Sequence, residues 1–195
     1  MQETLKIAAA ATIASILFGI IIGIMRLSKN FVLRDIVAFY VSFIRGTPML
    51  IQIYIVYYSL SFNLSMFMAS VVSLTVNSSA YIGETVRGGI ESIDKGQMEA
   101  ARSLGMTHWQ AMKEIVIPQA IKSILPSLCN QFIILIKNTS MMSVIGVHEL
   151  MYNSNTVRAN TYLAFESLII AAVMYFVVCF VLEKGVNYLE RRLKY

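Results

Sequence analysis

The sequence predicts an all-α, polytopic membrane protein: one transmembrane domain over residues 1–195, with five transmembrane helices and a cytoplasmic two-helix loop. Of the 195 residues, 57% are apolar and 14% are charged, whereas soluble domains have roughly 45–50% and about 25%. Uncharged runs long enough to cross a bilayer recur along the chain. This composition excludes a disordered chain, a disulfide scaffold and a nucleic-acid-binding domain. We expect the net charge of +5 to reside mainly in cytoplasmic loops.

The first predicted span covers about residues 7–25. This run carries no charge and is followed by Arg26. At 1.5 Å per residue it covers about 28 Å, close to the ~30 Å hydrocarbon core. A cleaved signal peptide is the alternative, but Glu3 and Lys6 precede the run in place of a basic cluster. We therefore expect a retained span.

The next uncharged run extends from residue 46 to residue 83. A single helix of that length would measure roughly 57 Å, nearly twice the bilayer core, so the chain must fold back. Residues 61–65 are turn-prone, which predicts a second span over about 46–61 and a third over about 66–83. Thr47 and Pro48 look like an N-cap and a first-turn proline. Either a short helix begins there or a longer one kinks.

Two further spans complete the predicted bundle. The fourth covers about 117–136, where the one charged residue, Lys122, lies near the start and can extend to the headgroups. Pro126 inside this span removes a backbone donor, so neighbouring groups must satisfy the freed carbonyl. The fifth covers about 165–183.

The distribution of basic residues predicts the orientation. With the N-terminus outside, only Lys6, Lys137 and Arg158 of the 16 Lys and Arg residues lie on the outer side. The positive-inside rule therefore predicts an external N-terminus and a cytoplasmic C-terminus. Residues 91–116 then form the one sizeable cytoplasmic loop.

This loop contains signals for two short helices. Asp94 with Gln97, and Thr107 with Gln110, are spaced as capping boxes that begin helices. Gly105 lies between them, where a left-handed residue ends the first helix. Such short helices need a packing surface. The pattern alone leaves two interpretations open, an amphipathic pair on the headgroups or a docking element for a cytoplasmic partner.

A longer motif favours the docking element. Glu99, Ala100 and Ala101 are followed after three residues by Gly105, and after nine more by a segment from Ile115 to Pro118. This spacing resembles the EAA signature of ATP-binding-cassette (ABC) importer permeases, with Ile117 where that family usually has leucine. Further segments resemble the polar amino acid uptake branch of that family; they are residues 45–48, 81–90, 137–140 and 143–147.

The resemblance implies a multi-pass subunit of a bacterial inner or plasma membrane. Family members pair two membrane subunits, identical or related, with two ATP-hydrolysing subunits, and an extracellular or periplasmic binding protein delivers the substrate. The EAA loop fits a cleft on the ATPase and transmits its closing. The resemblance therefore implies an ATPase-coupling role for six residues of this chain: Glu99, Ala100, Ala101, Gly105, Ile115 and Pro118. The other implied partners are an amino acid substrate and the lipid bilayer.

We expect no enzyme activity, cofactor or metal site in this chain. It has no GxxxxGK[ST] phosphate-binding loop, so ATP and Mg²⁺ belong to the partner ATPase. His148 and Glu149 are adjacent, but no nucleophile or cluster of metal ligands accompanies them.

Polar residues inside the predicted spans are candidates for the translocation path. They should point into the bundle, because a lipid-facing position is unfavourable; they are Asn77, Ser79, Glu84, Asn130 and Gln131. Each could instead make an interhelical hydrogen bond, and Glu84 could simply pair with Arg87, three residues along the helix.

The leading hypothesis is the permease subunit of an ATP-driven importer for a polar amino acid. One alternative is an ion-coupled secondary transporter, for which Glu84 is the plausible coupling residue, although the chain shows no internal repeat of the kind many such transporters carry. Another is a membrane scaffold that anchors a soluble partner through the loop. The sequence leaves open which amino acid is carried and whether the membrane dimer is homomeric.

Overall fold

The computed structural model describes residues 1–60 and 64–193, and their regular structure is helical. The α-helices are α1 (Gln2–Arg26), α2 (Phe31–Gly46), α3 (Met49–Leu60), α4 (Met66–Glu91), α5 (Lys95–Ser103), α6 (His108–Ala111), α7 (Ile117–Asn138), α8 (Leu150–Thr161) and α9 (Ala164–Leu193). A π-helical turn (Met112–Val116) joins α6 to α7, and a 3₁₀ segment (Thr139–Ile145) follows α7.

Close packing of α1 against α4 forms the centre of the molecule. A Cβ atom added at Gly23 would lie 2.7 Å from the Cβ of Val86 and 2.9 Å from the carbonyl oxygen of Gly83. Gly19 faces Ile82 in the same way. Small residues let helices approach closely where apolar burial between helices gives little driving force. The predicted first span is thus a helix that is buried along one face by α4.

The second predicted span, residues 46–61, corresponds to α3, and a separate helix, α2, precedes it. The axes of α2 and α3 differ by 109° across the break at Thr47 and Pro48, so the separate short helix, of the two predicted alternatives, is the correct one. With 12 residues, α3 is about 18 Å long and cannot cross the hydrocarbon core alone. The pair is long and apolar enough to cross a membrane only if α2 and α3 are counted together as one span.

The third predicted span begins correctly at Met66, where the Ser65 hydroxyl accepts a hydrogen bond from the Met68 amide. The predicted turn is described only at residues 64 and 65; Ser61, Phe62 and Asn63 lie outside the described residues. The helix continues to Glu91 rather than ending near 83. Charged pairs between side chains three and four residues apart support this extension.

The fourth and fifth predicted spans are also longer in the structure. A helical path without a break extends over His108–Ile145, so the predicted start at residue 117 falls inside it, one residue before Pro118. The last helix covers Ala164–Leu193. Among the described residues, four helices are long and apolar enough to cross a membrane, or five if the α2–α3 pair is counted as one span.

Candidate functional site

The candidate coupling element consists of α5, α6 and the π-helical turn. Its first helix begins at Asp94, whose carboxylate accepts a 2.8 Å hydrogen bond from the Gly96 amide. The predicted capping box with Gln97 is wrong, because the carboxylate caps the second helical residue instead of the third. The N-cap position itself is as predicted.

A Schellman motif ends α5, as the glycine between the two helices predicts. Gly105 has φ +86°. Its amide donates to the Arg102 carbonyl at 3.0 Å, and the Met106 amide donates to the Ala101 carbonyl at 3.2 Å. The Arg102 guanidinium also donates to the Met106 carbonyl, at 2.8 Å. These bonds fix the direction in which the chain leaves α5.

The second helix of the element starts with a complete capping box. The Thr107 hydroxyl accepts from the Gln110 amide at 3.2 Å, and the Gln110 side chain accepts from the Thr107 amide at 2.8 Å. The π-helical turn follows, with Ile115 half-buried, and Pro118 is exposed in the first turn of α7. Pro118 has no amide hydrogen to donate, and the π-helical turn directly before it departs from the regular α-helical hydrogen-bond pattern.

Burial divides the coupling residues into two groups. Ala101 is buried and packs α5 against the rest of the element, whereas Glu99 and Ala100 are exposed. Two large apolar side chains of the same element also point outward: Leu104 is 84% and Trp109 71% exposed. The element therefore presents a rigid surface with two apolar projections.

Asn77, a predicted translocation-path residue, holds the α2–α3 bend. Its side-chain amide donates to Gln52 Oε1 at 2.9 Å. Gln52 Nε2 in turn lies within hydrogen-bond distance of the Ile44 carbonyl at 2.7 Å and of the Thr47 hydroxyl at 2.8 Å. Both amide side chains are buried. The network satisfies backbone groups that the break between the helices leaves open. Gln52 was not among the residues predicted from sequence, although it is an amide in an uncharged run.

Ser79 and Glu84 also make contacts within the chain. The Ser79 hydroxyl lies 3.3 Å from the hydroxyl of Tyr40, which donates to the Val76 carbonyl at 3.0 Å and so ties α2 to α4. Glu84 Oε1 accepts from Arg87, as the spacing suggested, and Glu84 Oε2 lies 3.8 Å from Arg26 Nε. The Arg26 contact brings α1 to the same carboxylate.

Asn130 and Gln131 differ from these residues. Asn130 is exposed on α7 and Gln131 is half-buried. Asn77 and Ser79 are buried in the bundle, as expected for polar side chains in the spans, whereas Asn130 lies on a face of α7 that the described residues of this chain leave uncovered.

A buried polar cluster at Glu149 was not found from sequence. Glu149 caps α8 by accepting from the Met151 and Tyr152 amides at 2.8 and 2.6 Å, and it accepts from the Tyr175 hydroxyl at 2.9 Å. Complete burial raises the pKa of the Glu149 carboxyl above its ordinary value, while the amide hydrogen bonds act in the opposite direction. His148 stacks on Tyr152, with ring centroids 4.3 Å apart. The pair of residues 148 and 149 is thus structural.

In the described ranges, no group of three or more His, Cys, Asp and Glu side chains is arranged to hold a metal ion.

Comparison with known proteins identifies the family. The family model described as "Binding-protein-dependent transport system inner membrane component" matches residues 15–195. The chain belongs to this family. Nearly all of the transmembrane bundle and the whole candidate coupling element fall inside the matched range. The chain is therefore a membrane protein of this family, with several apolar helices.

Relatives within the family have full-length similarity. The chain is 41% identical to the probable glutamine ABC transporter permease protein GlnM of Bacillus subtilis (strain 168), over 98% of this chain and 90% of that protein. It is 39% identical to the arginine transport system permease protein ArtQ of the same organism, over 98% and 89%. A solved structure titled "Crystal structure of an amino acid ABC transporter with histidines" superposes with a TM-score of 0.93 at 40% identity, over 98% and 91% of the two chains.

Proposed function

We propose that this chain is the permease subunit of an ATP-driven importer of a polar amino acid, with its N-terminus outside and its C-terminus in the cytoplasm. Relatives named for glutamine and arginine transport support the substrate class. The partners are an ABC ATPase that holds ATP and Mg²⁺, a second permease subunit, identical or related, and a substrate-binding protein. Residues 1–195 act as one permease domain.

The main support for this proposal is the structure of α5 and α6 in a chain that belongs to this family. The Schellman motif and the capping box fix both helices, and Leu104 and Trp109 project from them with no core of their own to cover them. A partner surface that buries these side chains gains roughly 25 cal/mol per Å² of apolar area. A fixed element can then pass a displacement from the ATPase to α7, into which α6 and the π-helical turn continue directly.

The proposal assigns coupling to Glu99, Ala100, Ala101, Gly105, Ile115 and Pro118. Glu99 and Ala100 lie on the exposed face, where they meet the ATPase, and Ala101 holds α5 in place beneath them. Gly105 sets the angle between the helices. Ile115 and Pro118 lie where the element joins α7.

We assign different roles to two groups of residues at the translocation path. Asn77 and Ser79 act by holding the helices that border the path, because their polar atoms are engaged within the chain. Asn130 and Gln131 lie on the more accessible part of α7, where the path or the second permease subunit meets them. Glu84 is a positioning residue for two arginines. The contacts of Glu84 with Arg87 and Arg26 give this carboxylate a role within the fold that needs no ion coupling.

Reconstitution tests the function. The tagged chain is purified from membranes of its source, and an ATP-hydrolysing subunit should co-elute. In proteoliposomes supplied with the binding protein, uptake of radiolabelled L-glutamine or L-arginine should require enclosed ATP and should survive a proton ionophore. Uptake without ATP that the ionophore abolishes would establish the ion-coupled alternative, and an assembled complex without uptake would favour the scaffold.

Labelling tests the orientation. In a variant without Cys129 and Cys179, Trp109→Cys should react with a membrane-impermeant maleimide only when the cytoplasmic face is exposed, as in inverted vesicles. Asn160→Cys, on the exposed face of α8, should react from the outside. The reverse pattern would overturn the proposed topology.

A further inference from the structure

A cavity of about 430 Å³ opens beside the break between α2 and α3. Its lining includes Arg26, Arg45, Ser42, Tyr81 and Glu84. This volume is within the range of small-molecule sites, about 300–1,000 Å³. In the proposed orientation the cavity lies towards the cytoplasmic side, because Arg26 ends α1 there. Non-helical backbone at membrane depth is stable where it is buried in protein or borders a water-filled space, which fits a break beside an open cavity.

The charges around this cavity do not balance. Glu84 interacts with Arg87 through Oε1 and lies 3.8 Å from Arg26 through Oε2, and Arg87 also pairs with Glu91. Two carboxylates are therefore shared by two guanidinium groups. The third guanidinium, that of Arg45, adds one uncompensated positive charge to the cavity wall.

Arg45 is held in place without being neutralised. Its guanidinium lies 5.4 Å from the centroid of the Tyr81 ring, as a cation–π contact. Over residues 1–60 and 64–193, no carboxylate oxygen is within 4.0 Å of its nitrogen atoms. The side chain is exposed. The aromatic ring orients this arginine, while its hydrogen-bond donors stay free of carboxylates.

We propose that Arg45 binds the α-carboxylate of the transported amino acid in this cavity, as the substrate passes towards the cytoplasm. The inference rests on the proposed function. A planar guanidinium forms paired hydrogen bonds to a carboxylate, and every α-amino acid carries that group, so the site suits substrates with different side chains. Glu84 acts as a positioning residue, because it engages Arg26 and Arg87, which would otherwise compete with Arg45 for the substrate carboxylate.

The test compares Arg45→Gln with Arg34→Gln in the complete complex. Arg34 is on the same helix and exposed, but it pairs with Asp35 at 3.1 Å and does not line the cavity. The permease, ATPase and binding protein are reconstituted in vesicles of phosphatidylethanolamine and phosphatidylglycerol, with radiolabelled L-glutamine and L-arginine as probes. At saturating external substrate R45Q should reduce maximal uptake at least tenfold, while R34Q stays within twofold of the wild type. The half-saturating concentration should change less than twofold, because the binding protein sets it.

A conservative variant guards against misfolding. Arg45→Lys keeps the charge and loses the planar fork, so maximal uptake should fall two- to fivefold while the ATPase still co-purifies. If R45Q fails to assemble, the uptake measured for R45K tests the inference instead. Wild-type uptake by an assembled R45Q, or by R45K when R45Q does not assemble, would overturn the inference.

A second arm separates the substrate from an anionic lipid headgroup. In vesicles of phosphatidylcholine alone, the ratio of wild-type to R45Q uptake should stay near tenfold. If wild-type uptake falls to the R45Q level there, Arg45 binds lipid and the inference is overturned. A wild-type complex that takes up neither amino acid would overturn the proposed function itself, whereas normal wild-type uptake with an unaffected R45Q overturns the carboxylate site alone.

Discussion

Asn77 on α4 donates a 2.9 Å hydrogen bond to Gln52 on α3, and through Gln52 it is connected to the backbone at the end of α2. This contact joins the three helices around the 109° bend. It places the end of α2, which carries Arg45, beside Glu84 and Arg26 at the cavity. The cavity thus depends on an amide pair that is not part of its own wall.

Asn77→Ala should destabilise the protein by about 1–3 kcal/mol, because it leaves the Gln52 side-chain oxygen buried without its partner. For a chain of this size each kcal/mol lowers the thermal midpoint by roughly 2–4 °C. The measurement is thermal unfolding in detergent, with Asn160→Ala on the exposed face of α8 as control. Combined with Gln52→Ala, the loss should be less than additive; full additivity would show that the pair is not coupled.

Gly105→Ala should weaken coupling through backbone strain alone. No atom lies within 4 Å of the added Cβ, but φ +86° costs a non-glycine residue about 1–2 kcal/mol. We expect lower substrate-stimulated ATP hydrolysis or weaker ATPase docking, with Gly105→Asn less affected because asparagine tolerates this conformation better. Gly185→Ala on α9 is the control, since its Cβ also meets open space without a positive φ. Unchanged transport by G105A in vesicles would contradict this role.

Gly23→Ala should separate α1 from α4. The added methyl would lie 2.7 Å from the branched Cβ of Val86, and such overpacking costs about 1–3 kcal/mol. Gly88→Ala on α4 meets nothing within 4 Å and serves as the control. In detergent, the thermal midpoint of unfolding should fall for G23A and should be unchanged or higher for G88A. Equal midpoints for G23A and the wild type would mean that the helices do not pack this closely.

The stability contributed by Glu149 should decrease as pH rises. Burial raises the pKa of its carboxyl above the ordinary 4.5. A raised folded-state pKa means that the folded protein binds this proton more tightly than the unfolded chain does. The stabilisation is therefore complete at pH values below the ordinary pKa and is lost as the pH rises through the folded-state pKa. Relative to Glu149→Gln, the wild type should lose thermal stability as the pH rises from the ordinary pKa of 4.5 through the raised folded-state pKa.

The control for this titration is Glu166→Gln, at an exposed position in the first turn of α9. Its midpoint should follow the wild type across the same pH range. A wild-type protein that gains stability over E149Q with rising pH would show that the three hydrogen bonds to the carboxylate outweigh its desolvation.

Local signals were the most reliable part of the sequence analysis. Thr107 with Gln110 and the left-handed Gly105 have the predicted geometry, because each depends on a few neighbouring residues and the backbone between them. The pair of Glu84 and Arg87 is of the same kind. Helix ends were predicted wrongly where charged residues continue a helix beyond its apolar run. In α4, for example, the helix continues to Glu91, beyond the predicted end near residue 83.

The family, the helical class and the two short helices α5 and α6 could be predicted from sequence, since composition, caps and motif spacing are properties of contiguous residues. The bend between α2 and α3, the approach of Arg26 to Glu84 and the burial of Glu149 beside Tyr175 became visible in the folded chain. These contacts join residues far apart in the chain, and their energies depend on distance and burial that helix packing sets.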